Sequence, residues 1–217
     1  MLAAVVAGAR QRACTALVGS HATGAGAEFA VAAGAVDGRV DVRSLLALAR
    51  YEPTAWLVDG YRLCGWVGVA PESLVASYAR AREAINDAPT AIDGERVSWD
   101  AAFVRDLERV LERRGREVRV TVVLDANSNV AGFTEVRVSR HSGATATTED
   151  TAVLRAHRGK GLARWLKNES LTGLRADRPD VPYVATTNAE GNVAMLGLNT
   201  KLGFVPVARH TTCAIQL

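Results

Sequence analysis

Stretches whose apolar residues recur every three or four positions alternate along the chain with short runs rich in Val, Thr, Leu and aromatic residues, which predicts a mixed order of helices and strands. Clustered Tyr, Leu, Trp and Val predict a strand over residues 61–69. Pro71 suits a first helical position with Glu72 beside it, and Leu74, Val75, Tyr78, Arg82 and Ile85 share a face, so a helix is expected to about Asn86. Residues 87–94, with Pro89, read as a connector. Ser98 can cap a second helix in which Phe103, Leu107, Val110 and Leu111 repeat at helical spacing up to about Gly115. Strands follow over residues 118–124 and 130–138, joined through the hairpin-like turn Asp125-Ala126-Asn127-Ser128-Asn129, and a third over 147–154. Leu162, Ala163, Leu166, Ser170, Gly173 and Leu174 then fall on one helical face. A strand at 181–185, a helix at 192–202 and closing strands complete the order β-α-α-β-β-β-α-β-α-β.

The residues before this order echo its second half. Residues 2–13 look helical, Thr15-Ala16-Leu17-Val18-Gly19 looks like a strand, residues 27–33 look helical, and Gly34-Ala35-Val36 follows. That series parallels 162–174, Val181-Pro182-Tyr183-Val184-Ala185, 192–202 and Gly203-Phe204-Val205. Two parts are therefore expected: a partial unit with a linker over 1–57, lacking its own strand-loop-helix front, and a complete domain over 58–217. A half-sheet leaves an unpaired edge that a second copy can cover, so a homodimer is expected.

The junction Arg158-Gly159-Lys160-Gly161-Leu162-Ala163 carries the first chemical signal, because a glycine-bearing loop there opens a helix. First-turn N–H groups have no intrahelical partner and the helix dipole adds partial positive charge, so a pyrophosphate can be held on bare backbone. Arg155, His157, Arg158 and Lys160 add positive charge around it. The loop has neither the Gly-x-x-x-x-Gly-Lys-Ser/Thr order of a nucleoside triphosphate loop nor the Gly-x-Gly-x-x-Gly of a dinucleotide fold.

Arg158, Gly161 and Ala163 occupy the fixed places of Gln/Arg-x-x-Gly-x-Gly/Ala. That pattern resembles the acyl-CoA loop of the GNAT superfamily of N-acetyltransferases, and the downstream order agrees: Thr186-Thr187-Asn188-Ala189, then Asn192, Met195 and Asn199, then Leu202-Gly203-Phe204. Glu149-Asp150-Thr151-Ala152-Val153 and His157-Arg158-Gly159 in front make the set look like an actinobacterial branch whose members carry two such units in tandem. The resemblance implies an α/β fold with a mixed sheet, the GNAT acyl-CoA N-acyltransferase fold, preceded by a partial second unit. It implies acetyl-CoA as cofactor, held by Arg158, Gly159, Lys160, Gly161, Leu162, Ala163 and Asn192. Backbone N–H groups near Val153, Leu154 and Arg155, where family members bulge the strand, would polarise the thioester carbonyl. Many relatives place a Tyr five positions before the Phe of the Leu-Gly-Phe turn to protonate the leaving thiolate. Here that position is Asn199, which either bonds cofactor or substrate or is a buried structural amide, and Tyr183 and Tyr78 are the alternative donors.

An alkylamine with a pKa of ~10.4 must lose a proton before it can attack a thioester, so a base is needed. Glu149 and Asp150, on the strand leading to the loop, are the first candidates and Glu135 on the neighbouring strand is the third. Alternation along the strand sends Glu149 and Asp150 to opposite faces, so at most one of them is expected to point at the substrate. The activity so implied is acetyl transfer to a primary amine of a small molecule, an antibiotic or metabolite. The alternatives are a CoA-binding scaffold without catalysis and transfer of a different acyl group.

Composition narrows the setting. Of 217 residues, 48% are hydrophobic and 23% charged, which suits a globular core. Lys and Arg number 26 against 23 acidic residues, with no run of five or six like charges, so no nucleic-acid partner is expected. Cys14, Cys64 and Cys213 are scattered without CxxC spacing, so no metal site or disulfide is expected and the thiols read as reduced in a cytoplasm. No apolar run approaches the ~20 residues that span a bilayer, and the Ala-rich start has no basic leader, so no membrane partner is expected.

Overall fold

The computed structural model describes residues 2–22, 24–87, 96–140 and 144–217. The anticipated connector at 87–94 lies outside them except for Asp87. The described elements are α1 (Leu2–Gln11), β1 (Ala16–His21), α2 (Ala25–Ala32), β2 (Val36–Ala47), β3 (Arg62–Val67), α3 (Glu72–Arg82), α4 (Ala101–Arg113), β4 (Arg116–Leu124) and β5 (Val130–Ser139). They continue with β6 (Ala146–Val153), α5 (Leu162–Asp177), β7 (Tyr183–Ala189), α6 (Val193–Lys201) and β8 (Val205–Gln216).

Local rules place most of these, and tertiary contacts adjust their ends. α3 stops at Arg82 because the next residues, Glu83–Asp87, tighten into a 3-10 turn. The cap of α4 is Asp100 in place of the expected Ser98, and its carboxylate accepts from the Phe103 N–H at 2.7 Å. β7 begins only at Tyr183, since Pro182 has no N–H to give a ladder; its carbonyl accepts from Leu48 N–H at 3.0 Å instead. The turn between β4 and β5 is held by Asp125, whose side chain accepts from the N–H groups of Asn127 and Asn129.

All eight strands form one sheet in the order β1-β8-β2-β7-β6-β5-β4-β3. β8 lies between β1 and β2, antiparallel to both, and β2 lies against β7. Residues 1–57 thus share a continuous ladder with the rest of the chain. Among the described residues the one parallel pairing is β6 with β7, confined to Ala146–Thr148 against Val184–Thr186. One face is covered by α3 and α4, whose Val75, Tyr78, Val104 and Leu111 pack on Val118, Val120, Val122 and Phe133. The other is covered by α5, through Leu162, Trp165, Leu166, Leu171 and Leu174. Leu166 is fully buried, and burial of such a side chain stabilises the fold by about 1.5–3 kcal/mol.

Candidate active site

β6 and β7 leave each other after Thr148 and Thr186, and their divergence opens a cleft of about 610 Å³. Parallel strands that part in mid-sheet expose backbone groups on both lips, so the gap suits a long, polar-flanked ligand. Glu149, Asp150 and Val153 line one lip, Thr186 and Asn188 the other, Asn192 just before α6 and Met195 within it a third side, and Arg158, Ala163 and Lys167 the end nearest α5.

At that end α5 begins from Gly161, held in the left-handed region at φ +81°, with Gly159 alike at φ +79°. Among the described residues, no N–H from Gly159 to Arg164 donates to a backbone carbonyl; the first to do so is Trp165, to Gly161. A side chain at Gly159 would meet open space, whereas a Cβ at Gly161 would lie 3.0 Å from the Trp56 ring. These residues fit an anionic diphosphate of coenzyme A, because donors are free and the backbone is uncovered at Gly159. Leu162 contributes only its backbone, its side chain being 2% exposed in the core. The positive side chains are partly engaged. Arg158 Nε donates to Val153 O at 2.9 Å and its Nη2 pairs with Asp87 at 2.5 Å, while Lys160 donates to Tyr61 OH at 2.8 Å, which also meets His157 Nδ1 at 2.9 Å.

The three carboxylates sit in one network with different surroundings. Thr134 opposes Thr151 and Val136 opposes Thr148, so Glu149 and Asp150 together face Glu135 across a β-bulge. The bulge breaks the alternation expected from an ideal strand and lets both Glu149 and Asp150 line the cleft. It also stands before Val153-Leu154-Arg155; Leu154 N–H is already given to Ala131 O at 2.9 Å. Glu135 is 2% exposed and does not line the cleft. It accepts from Arg82 at 2.5 Å, Arg137 at 2.7 Å and Tyr78 OH at 3.2 Å. Burial alone would raise its pKa, but Arg82 and Arg137 hold it below the ordinary range. Among the described residues the Asp150 carboxylate accepts one bond, from Arg82 Nη2 at 2.9 Å; burial raises its pKa, Arg82 lowers it in part and Glu135 adds to the rise. Glu149 is likewise raised by burial, with Arg137 at 3.7 Å opposing.

Asn199 is 1% exposed, donates from Nδ2 to Asn188 Oδ1 at 2.7 Å, has no partner for its own Oδ1 among the described residues, and does not line the cleft. Asn192 lines the cleft and caps α6, accepting from Met195 N–H at 3.2 Å. Tyr78 is buried and raised far above its usual range, first by desolvation, and Tyr183 lies exposed at the start of β7; neither lines the cleft. Two residues escaped sequence reasoning. Trp56 packs over Gly161 with the Arg164 guanidinium 4.2 Å above its ring. Lys167 is 3% exposed, lines the cleft, has the Phe204 ring 5.4 Å from Nζ, and is lowered by burial from 10.5 to about 8. A lysine at a helix position next to Leu166 is the only signal it gives in the sequence.

The acetyltransferase (GNAT) family pattern matches residues 79–204, more than half of the chain. A tandem GNAT protein from the clavulanic acid biosynthesis pathway, determined without acetyl-CoA, superposes with a TM-score of 0.84 at 26% identity, over 99% of this chain and 68% of its own. GCN5-related N-acetyltransferases from Sphaerobacter thermophilus (TM-score 0.68, 15% identity, 95% of this chain and 63% of that one) and Kribbella flavida (0.65, 10%, 98% and 73%) share the fold. Comparison with curated proteins found no match.

Proposed function

The chain belongs to the acetyltransferase (GNAT) family, and from that premise we propose that it is an acetyl-CoA-dependent N-acetyltransferase acting on a primary amine of a small molecule. The observation that carries this reading is the cleft between β6 and β7, with unbonded N–H groups of the Gly159–Ala163 turn at one end and two cleft-lining carboxylates of raised pKa along one lip. Bound acetyl-CoA would supply the thioester. The turn and Asn192 would hold its diphosphate and arm. Asp150 or Glu149 then takes one proton from the acceptor ammonium at a carboxylate oxygen, a task for which a raised pKa suits either. Asp150 is the better placed of the two, since Arg82 fixes one of its oxygens and leaves the other free. Glu135 positions Arg82 and stays ionised.

Lys167 supports the other proton transfer. With its pKa at about 8 it is mostly protonated at neutral pH and is matched to a thiol of pKa ~8.5, so Nζ can donate to the departing thiolate where Asn199 and the tyrosines do not reach. Similarity to a protein of a natural-product pathway favours a specialised metabolite or antibiotic as the acceptor. Residues 1–57 are read as the trailing half of a preceding unit, since α1-β1-α2-β2 repeats the order α5-β7-α6-β8. Among the described residues β1 has one partner strand, and Val18, Phe29 and Val31 are exposed nearby, which supports a homodimer; a monomeric mass at micromolar concentration counts against it.

Thiol release from acetyl-CoA in the presence of an amine panel tests the enzyme reading. Release that depends on an amine supports it, and cofactor binding without release on any amine favours a non-catalytic scaffold. No described helix is long and apolar enough to cross a membrane.

A further inference from the structure

We propose that His21, Asp37 and Cys213 form a zinc-binding site that fastens β1, β8 and β2 together, apart from the acyl-transfer cleft. Their ligating atoms lie within 4.8 Å of one another, and none of the three lines the cleft. The register explains the convergence. Cys213 of β8 stands opposite Gly19 on one side and Asp37 on the other, while His21 stands opposite Thr211, two residues from Cys213 and therefore on the same face. Gly19 has no side chain to fill the space beside Cys213, so His21 of β1 can reach across β8 to Asp37 of β2, with Nε2 2.9 Å from Oδ1. Gly26 of α2 confines the ring, since even a Cβ there would come within 3.2 Å of His21 Cβ.

Both ring nitrogens face acceptors. Nδ1 lies 2.9 Å from Ala22 O, which can only accept, so Nδ1 carries a hydrogen and the neutral ring presents its lone pair at Nε2. Nε2 then confronts a carboxylate oxygen, and two acceptors at this distance need a cation between them, either a second ring proton or a metal. A backbone carbonyl on the far nitrogen is the outer contact that metal-bound histidines keep. The thiol of Cys213 decides which metal suits. Imidazole, thiolate and carboxylate together favour zinc over calcium or magnesium, which take oxygen donors. Tetrahedral bonds of about 2.0–2.3 Å put ligand atoms roughly 3.3–3.7 Å apart, which small side-chain rotations reach from the present spacing. Asp37 is 59% exposed, so the fourth position opens to water.

The full chain, stripped with a chelator, is titrated with Co²⁺ as a spectroscopic probe and then with Zn²⁺. One Co²⁺ per chain should bind with a thiolate-to-cobalt charge-transfer band that Zn²⁺ abolishes. Asp37→Asn, at an exposed position that leaves the fold intact, should weaken Co²⁺ at least about tenfold, and Cys213→Ser should remove the band while circular dichroism stays unchanged. Absence of the band in the parent chain, its persistence in Cys213→Ser, or an unchanged affinity in Asp37→Asn overturns the proposal.

Discussion

Lys167→Met should make the protein more stable at neutral pH while slowing turnover. Lys167 is 3% exposed, among the described residues its ammonium has no hydrogen-bond or ion-pair partner, and burial lowers its pKa from 10.5 to about 8. At about 1.4 kcal/mol per pKa unit, that difference corresponds to a penalty of about 3 kcal/mol for keeping the charged form inside the fold. The unfolded chain binds the proton more tightly than the native one, so the penalty is full below about pH 8 and fades as pH rises toward 10.5. Met fills similar space without charge, and the gain at pH 7 should be about 1–3 kcal/mol. Urea unfolding of both proteins at pH 7 and near pH 10 measures it, and the gap between them should narrow at the higher pH, a comparison that cancels other groups titrating there. A Met variant no more stable at pH 7, or a gap that does not change with pH, would refute the account of a desolvated, uncompensated charge. Undiminished turnover in that variant would refute its part in protonating the thiolate.

Asp150→Asn should lower turnover by at least about a hundredfold and Glu149→Gln by less, with cofactor binding retained in both; amine-dependent thiol release measures the split. In the parent protein activity should fall on the acid side at a pH above the ordinary aspartate range, because burial raises the Asp150 pKa, and that limb should be lost in Asp150→Asn. Gly161→Val should lose CoA binding and also about 1–3 kcal/mol of stability, since φ +81° and the Trp56 ring both oppose a side chain; calorimetric binding with denaturant unfolding checks the two losses. Arg82→Met leaves Glu135 buried without its main partner and should cost about 3–5 kcal/mol, with greater loss at pH 8 than at pH 5, where the freed carboxyl can protonate.

The sequence made the succession of elements and the glycine turn before α5 legible because both are local. Thr147 to Leu154 reads as a strand from its own residues, and Gly159 and Gly161 announce the turn they make. The bulge at Glu149 and Asp150 was not legible, since it depends on the pairing with Thr134 and Val136 of another strand. Ser98 and Asp100 are equally good caps in isolation, and α4 takes Asp100. Lys167 reads as a solvent-facing helix residue until α5 is laid on the sheet. Cys213 shows no ligand spacing along the chain because its neighbours His21 and Asp37 arrive from strands at the opposite end.

The place of β8 bears on how the molecule is made. Of the strands described, it leaves the ribosome last, yet β1 and β2, made first, meet only through it. Among the described strands, β1 has no partner and β2 can offer only its β7-facing side until residues 205–216 are made, so this part of the sheet cannot close before β8 is available. Pairings this distant along the chain form slowly, and Val18 and Val36 wait beside open ladders meanwhile. Removal of residues 205–216 should therefore cost β1 and β2 their order as well.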